Sequence, residues 1–410
     1  MHHIEINKMN IYEMYDENSN EILNKKEQLK EVKKNGYVIK YIYNPSEAVQ
    51  LEAVKENKHA IKYIHNPSED VQLKAVKHNG SAIQWIKNSS EKVQLAAIKN
   101  NEHCIQWINN PSEKVQLEAV KKSGYTIKWI DNPSEKVQLE AVKNGGSSIQ
   151  YIQNPSEVQI EAVKNDGDAI QYIKNPSEEV QLAAVKNNRF IIQWIQDPSE
   201  SVQLAAVKDD GYAIRYIHNP SEKVQLVAVK NEGYVIQWIL NPSKKVQLAA
   251  VNKYALTIKY IHNTFEEVQL KAVKQNGCTI QYIHNPSESV QFEAVKQNGY
   301  AIQYIHNPSE VIQIEAVNNR GDVIQWIQDP LESVQLAAVN SDGYAIQWIQ
   351  NPSEDVQLKA VKQNGCAIQY IHNPSKEVQQ AALKKDPNCI VFFKKAWISD
   401  QTLFKSNDES

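Results

Sequence analysis

The sequence has few cysteines, almost no net charge and no long apolar run. Its four cysteines, Cys104, Cys278, Cys366 and Cys389, show neither CxxC nor CxH spacing, so neither a disulfide framework nor a zinc knuckle is indicated. The 45 basic and 48 acidic residues nearly cancel, which disfavours attraction to nucleic acid or an anionic membrane. No window approaches about 18 apolar residues, and the N-terminal stretch lacks a signal-peptide pattern. We therefore expect a cytoplasmic protein, in its own cell or a host cell, with no membrane partner.

Familiar catalytic and cofactor-binding motifs are also missing. The sequence contains no GxGxxG, GxxxxGK[ST], GxSxG or HExxH. Histidines such as His262, His284 and His306 recur at one position, but helix layers about 8–10 Å apart cannot bring such a row around one ion. A repeat multiplies the same side chains instead of assembling one acid, one base and one nucleophile. We therefore expect no enzyme activity, no catalytic residue, no metal site and no cofactor.

A motif close to Asn-Pro-Ser-Glu recurs along nearly the whole chain with a step of 22 residues. The step shortens to 21 once, after Pro155, and Ser89 and Thr264 replace the proline without loss of register. Together with these two, sixteen copies are present, and a degenerate seventeenth precedes Asn44. The prolines are Pro45, Pro67, Pro111, Pro133, Pro155, Pro176, Pro198, Pro220, Pro242, Pro286, Pro308, Pro330, Pro352 and Pro374.

Each repeat, numbered from its proline as position 0, predicts two short helices. Asn at position −1 is the expected N-cap, proline the first helical residue and Glu at position 2 the capping-box partner, with Ser at position 1 as a competing cap. An Asn-Gly pair at positions 12 and 13, as in Asn298 and Gly299, predicts a left-handed stop. The second helix then has barely two turns, and we expect it to be partly 3-10.

Apolar residues at positions 4, 6, 8 and 9 of the first helix, and 15, 16, 18 and 19 of the second, fall on one side in helical projection. One repeat cannot bury this side alone, so neighbouring repeats must stack. We predict an all-α, right-handed α-solenoid of about 16–17 two-helix repeats. The expected organisation is an N-terminal cap over residues 1–22, a solenoid over 23–373, a C-terminal capping repeat over 374–397 and a polar tail over 398–410.

A glutamine at position 5 falls within the apolar side of the first helix. A buried amide is costly unless it is hydrogen-bonded, so we predict that these glutamines form a structural ladder between repeats. Each amide would bond to a turn or helix-end carbonyl of the neighbouring repeat, and ligand contact is the alternative. The ladder residues are Gln269, Gln291, Gln313, Gln335 and Gln357.

Two lines of like charge accompany the repeats. Glu at position 2 and Lys at position 10 match the helix macrodipole at the first and last turns, so we interpret both lines as solvated and dipole-complementing. The alternative is that the lysines contact a row of phosphates. The lines are represented by Glu47, Glu69, Glu113 and Glu135, and by Lys55, Lys77, Lys121 and Lys143.

Positions 14, 17 and 20 of the second helix are predicted to face outward as a polar stripe. Tyrosine, amide and imidazole groups suit protein recognition, and an ordinary polar face is the alternative. The Tyr or Trp at position 18, as in Trp85 and Trp348, is instead expected in the core and not in base stacking. The predicted partner-binding residues are Tyr212, Arg215, His218, Tyr300, Gln303, His306, Tyr344, Gln347 and Gln350.

The pattern NPSEKVQLEAVKNGG, residues 132–146, resembles the short α-solenoid repeats of the leucine-rich-variant and HEAT-like class, including short-repeat families of bacteria and their viruses. In that class a Val-Arg pair commonly stands where this chain has Val224 and Gln225, and the polar member ties adjacent repeats together. The resemblance implies an α-solenoid and, for function, a protein-binding scaffold. One HEAT-like branch handles DNA with a basic concave face, which the balanced charge here does not reproduce.

These patterns predict a non-enzymatic repeat scaffold that binds another protein through an extended surface. The alternative is a nucleic-acid-binding α-solenoid that uses the lysine line. A third hypothesis is a host-directed or anti-defence inhibitor that sequesters its target, because near-identical repeats suit a recently expanded viral or bacterial gene. A salt titration separates the first two, since phosphate contacts weaken steeply with salt.

Overall fold

Residues 24–393 are the part of the chain that this computed structural model describes. The predicted cap over 1–22, the end of the capping repeat over 394–397 and the polar tail over 398–410 lie outside these residues. The chain divides at Ala205 into two compact units, an N-terminal unit and a C-terminal unit. Among residues 24–393, no helix has both the length and the apolar character that crossing a bilayer requires.

The N-terminal unit alternates ten-residue α-helices with 3-10 helices, and only the shortened repeat has a seven-residue α-helix, Gln159–Asn165. Its last α-helix contains the division between the units. The α-helices are Lys25–Lys34, Glu47–Glu56, Glu69–His78, Glu91–Asn100, Glu113–Lys122, Glu135–Asn144, Gln159–Asn165, Glu178–Asn187 and Glu200–Asp209. The 3-10 helices are Gly36–Tyr41, Ala60–Tyr63, Gly80–Trp85, Glu102–Trp107, Gly124–Trp129, Gly146–Tyr151, Gly167–Tyr172 and Arg189–Trp194.

The C-terminal unit follows the same alternation. Its 3-10 helices are Gly211–Tyr216, Gly233–Trp238, Ala255–Tyr260, Gly277–Tyr282, Gly299–Tyr304, Gly321–Trp326, Gly343–Trp348, Gly365–Tyr370 and Pro387–Phe392. Its α-helices are Glu222–Asn231, Lys244–Lys253, Glu266–Gln275, Glu288–Gln297, Glu310–Asn319, Glu332–Ser341, Glu354–Gln363 and Lys376–Lys385. The described residues contain no strand, and within each unit every repeat packs on its neighbours. The predicted all-α solenoid of two-helix repeats is confirmed.

The core of each repeat comes from positions 4, 8 and 9 of the α-helix and 16 of the 3-10 helix. In one repeat Val290, Ala294, Val295 and Ile302 are almost completely buried. The residue at position 19 lies at the edge of this core, and Ile305, for example, is 9% exposed. Small residues at position 8 let the α-helices approach closely, and stacked layers then bury what one repeat would expose.

The serine at position 1 caps the α-helix, so the prediction of an Asn cap at position −1 is wrong. The Oγ of Ser287 accepts the backbone N–H of Val290, three residues on, at 3.4 Å. Glu288 is therefore the first helical residue and cannot complete a capping box. The degenerate first repeat does form one, because Asn24 stands at position 1 and Glu27 three residues later.

The backbone reverses at position −1 and not at the glycine. Asn307 has φ 46°, and most described repeats place Asn or Asp in this left-handed conformation, which those residues tolerate. No described glycine has a positive φ, so the predicted left-handed stop at position 13 is wrong. The α-helix ends instead at extended Asn298, whose side chain accepts the Tyr300 N–H at 3.1 Å and so begins the 3-10 helix.

Most position-5 glutamines are half-buried and bond within their own repeat, although the buried Gln247 also donates to the carbonyl of Asn263, at position −1 of the next repeat, at 3.0 Å. Nε2 of Gln291 donates to the carbonyl of Pro286 at 2.9 Å, and Gln313, Gln335 and Gln357 repeat this bond at 2.9–3.0 Å. Gln269, which follows Thr264 instead of proline, donates to Thr264 Oγ1 at 2.9 Å. The predicted inter-repeat ladder is therefore wrong for these bonds, because the carbonyl just before the cap lies within reach of the same helix.

A different amide, at position 11, connects neighbouring repeats. Nδ2 of Asn319 donates to the carbonyl of Lys296 at 3.0 Å, and its Oδ1 accepts the N–H of Gly299 at 2.9 Å. Both partners belong to the preceding repeat. Asn100, Asn165 and Asn187 form the same pair of bonds in the N-terminal unit. This amide satisfies two backbone groups left where the α-helix ends and the 3-10 helix begins.

Serine and glutamate form a second connection between repeats. The hydroxyl of Ser112 donates to Glu91 of the preceding repeat at 2.8 Å, and Ser309 donates to Glu288 at 2.8 Å. In Ser112 the same hydroxyl that caps its own helix also holds the neighbouring carboxylate. The glutamate line at position 2 therefore joins repeats in addition to facing the helix dipole.

Acidification is expected to weaken this connection. Hydrogen bonds from Ser201 and then Ser199 lower the pKa of Glu178, so its contribution is complete above the unfolded pKa of about 4.3 and is lost as pH falls through the folded pKa. Glu178→Gln can still accept these bonds but does not titrate. The melting temperature of the native protein should exceed that of Glu178→Gln at pH 7, and the difference should shrink below about pH 4. A difference that is constant from pH 7 to pH 3 would contradict this assignment.

Candidate functional site

A ring at position 18 stands at the end of every described 3-10 helix, and within residues 24–393 none of these rings is buried. Trp107 is 38% exposed and Trp194 is 55% exposed. We call the rings at position 18, with the position-14 side chains that contact them, the aromatic band of each unit. The N-terminal band has Tyr41, Tyr63, Trp85, Trp107, Trp129, Tyr151, Tyr172 and Trp194; the C-terminal band has Tyr216, Trp238, Tyr260, Tyr282, Tyr304, Trp326, Trp348, Tyr370 and Phe392.

The prediction that position 18 lies in the core is wrong, because these rings are partly exposed to solvent. In a 3-10 helix, side chains three residues apart eclipse, so position 18 is in line with position 15, and the exposure of the ring comes from its size and its place at the end of the helix. Position 15 is a small buried residue such as Ala301 or Ala345. The large ring therefore covers the edge of the layer and keeps one part in solvent.

Ring contacts between repeats hold the band in place. The ring at position 14 of one repeat meets the ring at position 18 of the next edge to face, as in Tyr300 and Trp326 with centroids 5.4 Å apart. Tyr344 and Tyr370 lie 6.0 Å apart, and in the N-terminal unit His103 and Trp129 lie 5.4 Å apart. Such pairs contribute about 0.5–1.5 kcal/mol each beyond their buried area. The rings that have such a partner are therefore held in place by the preceding repeat.

Cations lie beside several of these rings. The Lys128 ammonium is 4.2 Å from the centroid of Trp129, and the Arg215 guanidinium is 4.7 Å from that of Tyr216. Lys259 occupies the same place over Tyr260 at 4.7 Å. Position 17, which carries these cations, holds glutamine in most other repeats. The band thus combines aromatic faces with either a cation or an amide.

The side chains of the predicted stripe at positions 14, 17 and 20 are only partly exposed together. Tyr212, Arg215 and His218 are exposed, as are Gln303, His306, Gln347 and Gln350. Tyr300 and Tyr344 are half-buried because each contacts a ring of the next repeat. Position 20 lies in the turn beyond the 3-10 helix, so it borders the band.

The rings at position 18 are the candidate functional residues that the helical projection missed. Their signal was present in the sequence, because every repeat has Tyr, Trp or, at Phe392, Phe there and never an aliphatic residue. Amphipathic rings are typical of surfaces with one apolar and one wet side. A core position would also have accepted leucine or isoleucine, as positions 6 and 19 do.

Two shallow depressions lie away from the band, on the α-helices. One of about 360 Å³ is lined by Ile160, Leu182 and Lys186 among others, in the N-terminal unit. The other, of about 550 Å³, lies in the C-terminal unit, where Phe292 and Val311 are prominent. Within residues 24–393 no group of three His, Cys, Asp or Glu side chains is placed to hold a metal ion.

Comparisons of the chain with protein-family models, with curated proteins and with solved structures found no match.

Proposed function

We propose that the chain is a non-enzymatic scaffold that binds another protein through its aromatic bands. The observation that carries the proposal is the half-exposed ring at position 18 in every described repeat of both units. Tyrosine and tryptophan supply large contact areas with only two side-chain torsions, and they dominate the energetics of protein interfaces. The same side chains recur in every repeat, which favours many equivalent contacts over a single reaction centre.

Electrostatics and rigidity both support a protein partner. Rings such as Trp326 and Tyr370 are held by contacts with the preceding repeat, so little of their side-chain freedom remains to be lost on binding. Around them, amide and imidazole groups such as Gln347 and His306 can exchange hydrogen bonds with a polar partner surface. The formal net charge of −3 provides no strong field in either direction.

Removing three rings tests the proposal. Trp326→Ala, Trp348→Ala and Tyr370→Ala together remove exposed rings of three consecutive repeats of the C-terminal band. Wild-type protein is used to capture a partner from extracts of the native host, and affinity is then measured with that purified partner by calorimetry. We expect the triple variant to bind about 100-fold more weakly or worse, because truncated hot-spot residues cost at least about 2 kcal/mol each.

The matched control changes the α-helix of the last of these three repeats. Glu354→Ala, Lys359→Ala and Lys362→Ala replace exposed side chains that lie outside the band. This variant should retain wild-type affinity, and both variants should keep the wild-type circular dichroism spectrum. Equal affinity of the ring variant and wild type, or a loss confined to the control, would reject the aromatic bands as the interface.

A second candidate function is binding of single-stranded nucleic acid, favoured by the rings that carry a neighbouring cation. Lys62, Lys128 and Arg215 lie beside exposed or half-exposed rings, a combination that accommodates stacked bases and phosphates. The lysines of the position-10 line, such as Lys77 and Lys143, lie instead in the last turns of α-helices. A labelled 20-nucleotide RNA tests this candidate. Binding through six or more phosphates should weaken about 10³-fold between 50 and 200 mM salt.

A further inference from the structure

Five consecutive repeats of the C-terminal unit carry the same amide at position 17, and we call these residues the glutamine row. Each Nε2 donates to the backbone carbonyl of position 14 in its own 3-10 helix, at 2.8–3.1 Å. All five side chains are exposed. The row consists of Gln281, Gln303, Gln325, Gln347 and Gln369.

The hydrogen bond to the position-14 carbonyl orients each amide but uses only part of the amide's hydrogen-bonding capacity. A glutamine amide has two N–H donors and a carbonyl with two lone pairs, and the bond to position 14 occupies one N–H. One donor and one acceptor therefore remain at the surface in each repeat. A pair of this kind complements the C=O and N–H of a peptide main chain, which displays the same two groups along an extended segment.

The charged residues around the glutamine row indicate the charge of the segment that it could bind. Over the glutamine row, positions 14, 17, 18 and 20 include one acidic residue, Asp322, and no lysine or arginine. Asp322 is paired with Arg320, whose guanidinium lies 3.1 Å from its carboxylate and 4.3 Å from the Tyr300 ring centroid. A nucleic acid or an acidic segment would need cations here. A segment of low charge would not.

The rings supply the apolar half of the recognition. Each row glutamine is followed by a half-exposed ring, with exposures of 40% for Tyr304 and 48% for Trp348. Aromatic-lined grooves bind proline and other apolar side chains of extended segments, whose low conformational freedom limits the entropic cost. Amides and rings thus alternate at a fixed step of one repeat.

We propose that the glutamine row and its adjacent rings bind an extended, low-charge peptide segment of the partner protein. The amides exchange hydrogen bonds with its main chain, and the rings pack against its proline or apolar side chains. This inference rests on the proposed function, since it specifies what the C-terminal band binds. It further requires that main-chain contacts, and not only rings, contribute to affinity.

The test uses a display library of unstructured 12-residue peptides, selected on the full-length wild-type protein. Enriched peptides are then synthesised, and their affinities are measured for wild type and for a variant carrying Gln303→Met, Gln325→Met and Gln347→Met. Methionine keeps the length of glutamine without its hydrogen bonds. We expect enriched peptides with few charged residues, and an affinity loss of about 10-fold or more in the variant.

The control places methionine on the exposed α-helical side of the same three repeats, at position 10, as Lys296→Met, Asn318→Met and Asn340→Met. It should keep wild-type affinity for the enriched peptides. A second readout is N-methylation of single peptide bonds in the ligand, which removes main-chain donors without altering the protein. At alternate positions it should weaken binding to wild type but not to the methionine variant.

Several results would overturn the inference. These are the absence of any enriched peptide, enrichment of Asp- and Glu-rich peptides, tighter binding of a 12-nucleotide RNA than of any peptide, and equal affinity of the methionine variant and wild type. The last result, combined with loss of binding in the ring variant, would leave the aromatic bands as the interface while removing the main-chain contacts. If neither the ring variant nor the methionine variant lost affinity, both the aromatic bands and the main-chain contacts would be rejected as parts of the interface.

Discussion

Gly124→Ala should destabilise the protein by roughly 3 kcal/mol, near the upper end for an overpacked site. A Cβ at this position would lie 2.3 Å from the backbone carbonyl oxygen of Ala141 and 2.6 Å from Ser148 Oγ, both in the next repeat. The carbonyl belongs to an α-helix and cannot rotate away, so relief requires the two repeats to separate. The measurement is the free energy of unfolding from urea denaturation followed by circular dichroism.

Gly145→Ala provides the matched control in the adjacent repeat. Gly145 has an extended φ of −165°, and a Cβ there would meet only Ser148 Oγ, at an ordinary 3.5 Å. Alanine restricts the unfolded chain, so we expect stability unchanged or raised by about 0.4–1 kcal/mol. Similar stability changes for both variants would mean that the close approach of the next repeat does not explain the glycine at position 13.

Asn319→Ala should cost about 1–3 kcal/mol, because the buried N–H of Gly299 loses its acceptor and the carbonyl of Lys296 loses a donor. Asn319→Gln should restore most of this stability, since Gln363 at position 11 of another repeat accepts the N–H of Gly343, in the repeat before it, at 2.8 Å. Urea denaturation again provides the measurement.

Gln275→Ala is the control for this position. Gln275 occupies position 11 in the same unit, is exposed, and its side chain hydrogen-bonds to no other residue among those described. Its replacement should change stability by less than about 0.5 kcal/mol. If Asn319→Ala were equally neutral, the amide at position 11 would be an ordinary surface residue and the connection between repeats would rest on packing and the serine–glutamate bonds.

The architecture could be predicted because the 22-residue period and the apolar positions both follow from the need to bury short helices by stacking repeats. Val290, Ala294 and Ile302 are buried as their spacing requires, and only stacking can bury them in a chain of such short helices. The backbone conformation of the turns was harder to predict. Asn and Gly both tolerate turns, so the sequence alone did not show that Asn307 takes the positive φ while Gly299 provides space.

The candidate surface could be predicted only in part, because a helical projection gives the direction of a side chain and not how far a large ring extends beyond the packed layer. A projection at about 100° per residue placed Trp326 with Ile324 and Ile327, whereas its ring stands at the end of the 3-10 helix and is 39% exposed. The position-11 amide was overlooked for a similar reason. Asn319 faces away from the core of its own repeat, and its partners belong to the preceding one.

Fluorescence of a single tryptophan tests most directly whether the rings at position 18 are surface groups. The chain has eight tryptophans, and a variant that keeps Trp348 and replaces the others by tyrosine, which occupies position 18 in several repeats, isolates one ring of the band. With Trp348 48% exposed, its emission should be red-shifted relative to a buried indole, and acrylamide should quench it to an extent between a buried indole and free tryptophan. Blue-shifted emission that resists acrylamide would place the ring in the core and contradict the existence of the aromatic band.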